Sequence, residues 1–320
     1  MNSEMPLASV VCFTYNHEKY IRQALDGFII QRCSFPIEII VHDDASMDDT
    51  ANIIREYSIK YPLIKAILQQ ENQYSKNKHF FEHIYTKETN GKYIAVCEGD
   101  DYWTDPLKLQ KQIIFLEANL DYGMCYTRAR CYIQKKNKFG GYRGLPFGTF
   151  DTLLLYNVIP TLTVVMRKDL LVKYYSEIKP QEQKWLLGDW PKWLWMAKNS
   201  KIKYENCVTS VYRKLPESAS SSENLEKMEK FFRSCINIKE YFIKQYGVEN
   251  GDTLEEIIFQ KIWAIFSFAC LFNKSELFDE VRKDIERVQK MHLRLLYMKL
   301  VMFCRPMRYL LVVFRKIKKY

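Results

Sequence analysis

The residues that decide the fold are Lys92-Tyr-Ile-Ala-Val-Cys97, followed at once by Glu98-Gly-Asp-Asp101. A short apolar run rich in β-forming side chains is typical of a buried parallel strand, which delivers its functional groups to the carboxyl edge of a sheet. Gly99 allows a sharp bend, from which Asp100 and Asp101 project. Adjacent carboxylates repel each other unless a cation or hydrogen-bond donors balance them, so a hard divalent ion is one solution. The alternative is a solvated acidic turn that caps the next helix.

Two earlier strands also end in polar side chains. Leu7–Phe13 is an apolar run followed by Thr14 and Tyr15, and Ile37–His42 leads to Asp44. These strands alternate with segments of helical periodicity, which predicts an α/β fold with a parallel sheet. Neither a GxGxxG nor a GxxxxGKS sequence occurs, so dinucleotide and P-loop sites are not supported. Each polar side chain alone could serve only a local turn or cap, but three strand ends at one edge favour a nucleotide site.

From Ser9 to Tyr126 the chain resembles bacterial family 2 glycosyltransferases, which have the GT-A fold. The resemblance rests on three motifs: Val10-Val-Cys-Phe-Thr-Tyr-Asn-His17, Ile39-Ile-Val-His-Asp-Asp-Ala-Ser46 and Glu98-Gly-Asp-Asp-Tyr-Trp103. It implies a mostly parallel, twisted sheet with helices on both faces. It also implies an inverting, metal-dependent enzyme that uses a UDP-sugar, with Mn²⁺ or Mg²⁺ as its cofactor.

The resemblance assigns roles to particular residues. Thr14, Tyr15 and Asp44 are expected to contact the base of the nucleotide, while Asp100 and Asp101 share the ribose and metal roles. The division between the two aspartates stays open, because Glu98-Gly-Asp100 and Asp100-Asp101 can each be matched to the DXD-type element of the family. A glutamate in the first place also departs from the commonest pattern.

The middle of the chain is expected to supply the acceptor side. Gly188-Asp189 opens a predicted helix, and similar enzymes have their catalytic base in such an element at this distance after the metal motif. Helix capping is the alternative role for Asp189. Arg213 precedes a serine-rich stretch and is a candidate diphosphate ligand, as a residue near here is in similar enzymes; a solvated hinge is the alternative. A glycine-rich stretch, Gly140–Gly144, is predicted to be a loop between two strands.

Length and composition fit one α/β domain with an appended helical region. The chain has 320 residues, of which 48% are hydrophobic. We predict a glycosyltransferase domain over residues 1–222, with a nucleotide-sugar half (1–130) and an acceptor half and loop (131–222), and a helical C-terminal region over 223–320. Nine scattered cysteines without a CxxC pair indicate a reducing compartment. No signal peptide is predicted.

Much of the net charge of +10 lies at the C-terminus, where Val288–Tyr320 contains nine Lys or Arg residues and no Asp or Glu. Basic residues mixed with Leu, Met, Phe and Tyr are typical of an amphipathic helix on anionic lipid. The alternatives are a basic helix docked on its own domain and a nucleic-acid patch. The expected localisation is cytoplasmic, at the inner face of the plasma membrane.

Two classes of function follow from these observations. The first is transfer of a sugar from a UDP-sugar to a saccharide or lipid-linked acceptor, in the synthesis of bacterial cell-surface polysaccharide or glycolipid. The second is a non-catalytic protein that binds nucleic acid or another partner through the basic tail. The acidic strand ends argue against a nucleic-acid face on the main domain, so no nucleic-acid partner is expected.

Overall fold

The structure, a computed structural model, describes residues 5–76, 79–215, 225–272 and 274–286. The chain divides into two compact units, Met1–Glu223 and Asn224–Tyr320. The basic tail from Val288 onward, with its predicted membrane contact, lies outside the described residues.

The described residues of the first unit are built on one sheet of nine strands. The strands are β1 (Ala8–Thr14), β2 (Ile37–Asp43), β3 (Ile64–Leu68), β4 (Tyr93–Val96), β5 (Tyr102–Trp103), β6 (Tyr122–Ile133), β7 (Lys138–Arg143), β8 (Val165–Arg167) and β9 (Lys201–Lys214). They lie in the order β3-β2-β1-β4-β8-β6-β9-β5, and β7 pairs with β6. The pairings among β1 to β4 are parallel, as the alternating pattern predicted. The other half is mixed, since β8 runs antiparallel to β4 and β6 while β9 runs parallel to β6.

Helices connect these strands. They are α1 (Ile21–Ile29), α2 (Thr50–Lys60), α3 (Gln73–Lys76), α4 (His79–His83), α5 (Lys108–Ala118), α6 (Phe150–Leu155), α7 (Lys168–Ile178) and α8 (Trp190–Asn199). A π-helical turn, Ile84–Glu88, follows α4. The α/β class predicted from the sequence is therefore confirmed.

Strand β1 shows why the apolar runs become central strands. Val10 and Cys12 belong to the hydrophobic core that also contains residues of α1, α2 and α5. Val11, on the opposite face of the strand, is fully buried as well. Fully burying one such side chain stabilises the fold by about 1.5–3 kcal/mol. A strand that is covered on both faces is apolar throughout rather than alternating, which is the pattern in the sequence.

The prediction of a loop at Gly140–Gly144 was wrong. Most of this stretch lies in β7, which forms an antiparallel hairpin with β6. Only Gly144 has the left-handed φ that favours glycine, at +92°, and a Cβ there would lie 2.7 Å from the Thr127 carbonyl oxygen. The glycines of the stretch suggested a turn, but the long partner strand β6 supplies the hydrogen bonds that keep β7 extended.

In the part of the second unit that the structure describes there are three helices, α9 (Leu225–Tyr246), α10 (Gly251–Phe272) and α11 (Ser275–Glu286). Its core takes apolar side chains from all three, among them Ile236, Phe266 and Val281. Within the described ranges, no helix is long and apolar enough to cross a membrane.

Lys108, at the start of α5, is an unusual core residue because its side chain is fully buried. Its Nζ donates to Gln112 Oε1 at 2.8 Å and lies 4.3 Å from the centre of the Trp103 ring. Burial lowers the pKa of Lys108 to about 8. The folded protein therefore holds this proton less tightly than the unfolded chain does.

This difference predicts a pH dependence of stability that Lys108→Met should remove. Between pH 8 and about 10.5 the unfolded chain binds more protons at this position, so the unfolding free energy of the wild type should rise relative to that of the variant. The relative gain should be about 3 kcal/mol across this window, at ~1.4 kcal/mol per pKa unit, and the difference should be constant below pH 8. Urea titrations of both proteins at several pH values measure it. A difference that does not vary with pH would contradict the assignment.

Candidate active site

Main-chain hydrogen bonds join the ends of β1, β2 and β4. The Asp44 amide donates to the Thr14 carbonyl oxygen at 3.0 Å, and the Gly99 amide donates to the Phe13 carbonyl oxygen at 2.9 Å. The end of β1 therefore lies between the two acidic strand ends. We refer to Glu98-Gly-Asp-Asp101 as the acidic turn. The structure brings Thr14, Asp44 and the start of this turn to one edge of the sheet.

The loops that follow β1 and β2 are also tied together. The Asn16 amide donates to Ser46 Oγ at 2.8 Å, and the Met47 amide donates to Asn16 Oδ1 at the same distance. Asn16 adopts the left-handed φ of +56° that this arrangement uses. Tyr15, just before it, is 42% exposed. Its ring is thus available to stack on a planar ligand, while the backbone beneath it is fixed.

Asp44 is 6% exposed and holds the segment that begins α3. Its Oδ1 accepts from the Gln73 amide at 2.6 Å and its Oδ2 from the Tyr74 amide at 3.0 Å. Asp44 therefore has a local capping role, which the sequence pattern left open as the alternative to nucleotide binding. Each carboxylate oxygen has a second lone pair, so a further N–H can still be accepted.

Gly99 is required by the close approach of β4 to the end of β1. A Cβ at this position would lie 2.5 Å from Thr14 Oγ1 and 3.0 Å from His17 Nδ1. No side chain fits in that space without moving the strand ends apart. The glycine between Glu98 and Asp100 is thus explained by packing as well as by the bend.

Glu98 and Asp100 are neighbouring carboxylates that repel each other, and the charge of Lys192 offsets this effect on Glu98 only in part. Burial, and next the charge of Asp100, raise the pKa of Glu98 to about 7. Across the described part of the chain, neither carboxylate forms an ion pair with a basic side chain. Bringing a cation to this pair would relieve the repulsion between the carboxylates.

Asp101 has a different environment, although it is the next residue. It is 3% exposed, and its Oδ1 accepts from the Arg213 amide at 2.7 Å. The contact forms because β5, directly after Asp101, pairs with β9. Burial and the neighbouring carboxylates raise the pKa of Asp101, and the bond from Arg213 opposes this shift.

Arg213 is 7% exposed and its guanidinium already has three protein acceptors. Nε donates to the Asp100 carbonyl oxygen at 2.7 Å, Nη1 to Gln134 at 3.0 Å and Nη2 to Gln23 at 2.6 Å. The group also lies over the rings of three tyrosines, Tyr20, Tyr102 and Tyr132. The geometry gives Arg213 a structural role in the acidic turn; its predicted role as a diphosphate ligand stays a prediction.

Asp189 caps α8, as the sequence suggested. Its Oδ1 accepts from the Trp190 amide at 2.7 Å. Its Oδ2 accepts from Asn157 Nδ2 at 3.2 Å and from Thr161 Oγ1 at 3.3 Å. These bonds fix the direction of the carboxylate, so capping and catalysis are compatible at this residue.

Asp189 and Glu98 line one pocket of about 350 Å³. Its walls are mainly aromatic and apolar, and they include Phe81, Tyr85 and Trp185. Thr14, Tyr15, Asp44, Asp100 and Arg213 are not part of its lining. The pocket therefore brings together Asp189, the predicted catalytic base, and Glu98, the first residue of the acidic turn. The residues predicted to contact the nucleobase lie outside this cavity.

Lys192, which the sequence pattern did not indicate, lines the same pocket. It is 6% exposed, and its Nζ lies 5.0 Å from the centre of the Tyr85 ring. Burial lowers the pKa of Lys192 to about 8, against the opposing charges of Asp189 and Glu98. Its position three residues after Asp189 was the available signal, because such residues share one face of a helix.

The acidic turn fits a divalent cation only in part. No cluster of three or more His, Cys, Asp or Glu side chains that could hold a metal ion exists among the residues that the structure describes. Glu98 and Asp100 are the carboxylates that a cation would relieve, and Asp101 already accepts from Arg213. A hard cation bound here would complete its shell with water or with phosphate oxygens of a ligand.

Comparison with known families supports this fold and site. The family model described as glycosyl transferase family 2 matches residues 9–168. That range begins in β1 and ends at the first residue of α7, so it contains the three strand ends and the acidic turn.

Curated relatives agree with this match. An uncharacterized protein of Mycobacterium tuberculosis is 42% identical over 164 residues, which are 50% of this chain and 46% of that protein. The chain thus spans about half the length of this relative. The Escherichia coli UDP-Glc:alpha-D-GlcNAc-diphosphoundecaprenol beta-1,3-glucosyltransferase WfaP is 28% identical over 244 residues, 76% of this chain and 89% of that enzyme.

Solved structures share the fold. TarS 1-349 of S. aureus in complex with UDP-GlcNAc superposes with a TM-score of 0.60 at 19% identity, over 88% of this chain and 81% of that chain. The mannosyltransferase PcManGT of Pyrobaculum calidifontis, in complex with GDP-Man and Mn²⁺, gives a TM-score of 0.56 at 12% identity, over 96% and 83% of the two chains. The fold predicted by resemblance is therefore confirmed.

The different environments of Asp100 and Asp101 predict different mutant phenotypes. Asp100→Ala should leave thermal stability unchanged or slightly raised, because it removes a repulsive charge, and it should abolish the effect of Mn²⁺ on UDP binding. Asp101→Ala should lower the unfolding free energy by about 1–3 kcal/mol, because the buried Arg213 amide loses its acceptor. Calorimetric titration with UDP, with and without Mn²⁺, and urea unfolding test both variants. If Asp101→Ala alone removes the metal effect, Asp101 is the ligand and this division of roles is wrong.

Proposed function

The chain belongs to glycosyltransferase family 2, and we propose that it transfers a sugar from a UDP-sugar to an acceptor hydroxyl, with inversion at the anomeric carbon. The observation that carries this proposal is the pocket in which Asp189 and Glu98 meet at the acidic edge of the sheet. Such a transfer requires a carboxylate that can take the proton of the acceptor hydroxyl. It also requires a cation, which the neighbouring acidic turn can hold.

The donor is a UDP-sugar. WfaP is named for UDP-Glc, and TarS was crystallised with UDP-GlcNAc. The fold alone does not choose the nucleotide, because PcManGT binds GDP-Man. In this chain Tyr15 offers a ring for stacking, and Asp44 offers an acceptor for a base N–H. Thr14 accepts from the Asp44 amide, and its side chain packs against Gly99. An acceptor beside a stacking surface suits the N3–H of uracil.

The cofactor is Mn²⁺ or Mg²⁺. Asp100, with Glu98 beside it, would hold the ion, and the diphosphate would supply further oxygen ligands. When bound, the ion neutralises charge that develops on the departing UDP. Arg213 contributes by holding the turn in place through the Asp100 carbonyl oxygen and the Asp101 carboxylate.

Asp189 is the general base. Its carboxylate is oriented by Asn157 and Thr161 and faces the pocket, where it can accept the proton of an acceptor hydroxyl. The ammonium group of Lys192 is placed to donate to sugar hydroxyls within the same pocket. The aromatic walls provide apolar faces for a sugar ring.

The acceptor is a saccharide, free or lipid-linked, in the synthesis of bacterial cell-surface polysaccharide or glycolipid. WfaP, by its name, acts on a GlcNAc-diphosphoundecaprenol. A lipid-linked acceptor would require the enzyme to work at the cytoplasmic face of the plasma membrane, in agreement with the localisation that the basic tail predicts.

Asp189→Asn tests the base. The amide keeps the shape and most of the capping but accepts no proton, so transfer should fall by roughly 100-fold or more. UDP affinity should persist, and the product of the wild type should have the inverted anomeric configuration by NMR. Asp169→Asn is the matched control, because Asp169 at the start of α7 also accepts from the amide of the next residue, at 2.9 Å. Near wild-type transfer by Asp189→Asn, or equal losses in both variants, would refute the role of Asp189.

A further inference from the structure

The hairpin of β6 and β7 carries an unusual excess of positive charge. From Tyr122 to Phe150 the sequence contains no Asp or Glu, and its basic residues are Arg128, Arg130, Lys135, Lys136, Lys138 and Arg143. We refer to residues 128–147 as the basic hairpin. It belongs to the first unit, so its charge is separate from that of the C-terminal tail.

Arginine and aromatic side chains alternate along one face of the basic hairpin. The guanidinium carbon of Arg128 lies 4.4 Å from the centre of the Tyr142 ring, and that of Arg130 lies 4.3 Å from the centre of the Phe139 ring. The strand register places Arg130 opposite Tyr142 and Tyr132 opposite Phe139, so these residues share one face. A guanidinium stacked on a ring still directs its N–H groups outward in its own plane, where they can bind phosphate oxygens.

These cations are not balanced by acids. Across the described ranges, none of the six basic residues of the hairpin forms an ion pair, and the side-chain bond of Arg128 is to the neutral Asn206 at 3.4 Å. Other basic residues of the same unit do pair, such as Lys111 with Asp105 and Lys201 with Asp121. The basic hairpin therefore presents a net positive surface that attracts anions.

Large apolar side chains are exposed on the same hairpin. Phe139 is 45% exposed, Tyr142 53%, Leu145 50% and Phe147 44%. Exposed aromatic residues among Lys and Arg are typical of protein surfaces that lie at the boundary between lipid headgroups and acyl chains. A soluble anion would engage the arginines but would leave this apolar surface in water.

We propose that the basic hairpin docks on the anionic surface of a lipid bilayer. The arginine N–H groups bind lipid phosphates, and Phe139, Tyr142, Leu145 and Phe147 enter the interfacial layer. Charge and apolar surface thus act together, as they do in peripheral membrane proteins. This contact does not depend on sugar transfer, so it can fail while the proposed activity holds, and the reverse.

The test compares the full-length protein with the double variant Arg128→Gln/Arg130→Gln in sedimentation with vesicles. Wild type should bind vesicles of phosphatidylglycerol and phosphatidylcholine more tightly than vesicles of phosphatidylcholine alone. The double variant should bind the anionic vesicles at least tenfold more weakly, with unchanged UDP affinity and thermal stability. Phe139→Ser should weaken binding to the same vesicles several-fold.

Lys60→Gln/Lys179→Asn is the matched control, because it removes two exposed positive charges outside the basic hairpin. Equal loss of binding in this control and in Arg128→Gln/Arg130→Gln would show a general effect of net charge and overturn the proposal. Unchanged vesicle binding by the hairpin variant would also overturn it, since the contact would then lie elsewhere. If the variant loses affinity for inorganic pyrophosphate but keeps its affinity for vesicles, the hairpin binds a soluble anion and the proposal is wrong.

Discussion

The site depends on the end of β1, which is held between two acidic strand ends by two main-chain hydrogen bonds. The carbonyl oxygen of Phe13 accepts from Gly99 on one side, and that of Thr14 accepts from Asp44 on the other. Both bonds require parallel strands in register, and the first also requires that residue 99 have no side chain. The apolar residues of β1, buried on both faces, fix this strand in the core. Because β1 is fixed, the positions of Asp44 and of the acidic turn beside it are fixed as well.

Charge at this edge is only partly compensated inside the protein. Asp101 is satisfied by the Arg213 amide, and Asp44 by the amides of Gln73 and Tyr74. Glu98 is left with a pKa raised to about 7 beside Asp100. A fold that keeps two such carboxylates close together is less stable than one in which they are apart. A cation bound together with a diphosphate would supply the missing positive charge. The electrostatics of the turn therefore agree with the proposed function.

The sequence was sufficient for those parts of the site that depend on strand ends. Parallel strands joined by helices have their carboxyl ends at one edge, so Thr14, Asp44 and Glu98-Gly-Asp-Asp101 could be placed together before any coordinates were known. It was not sufficient for contacts made by distant segments. Asp101 and Arg213 are 112 residues apart and meet only because β5 pairs with β9. Lys192 was missed for the same reason, since Tyr85 and Glu98, which line its pocket, are remote in sequence. Strand β7 was missed for a different reason: its partner β6 is close in sequence, but the glycines of the stretch suggested a turn.

The central claim is that this edge binds a uridine diphosphate together with a divalent ion. Isothermal titration of the full-length protein with UDP, GDP and ADP, each with and without Mn²⁺, tests it most directly. The account predicts saturable binding of UDP that is at least tenfold tighter with Mn²⁺ than without it, and weaker binding of GDP and ADP. Absence of UDP binding under both conditions, or equal affinity for all three nucleotides, would contradict it.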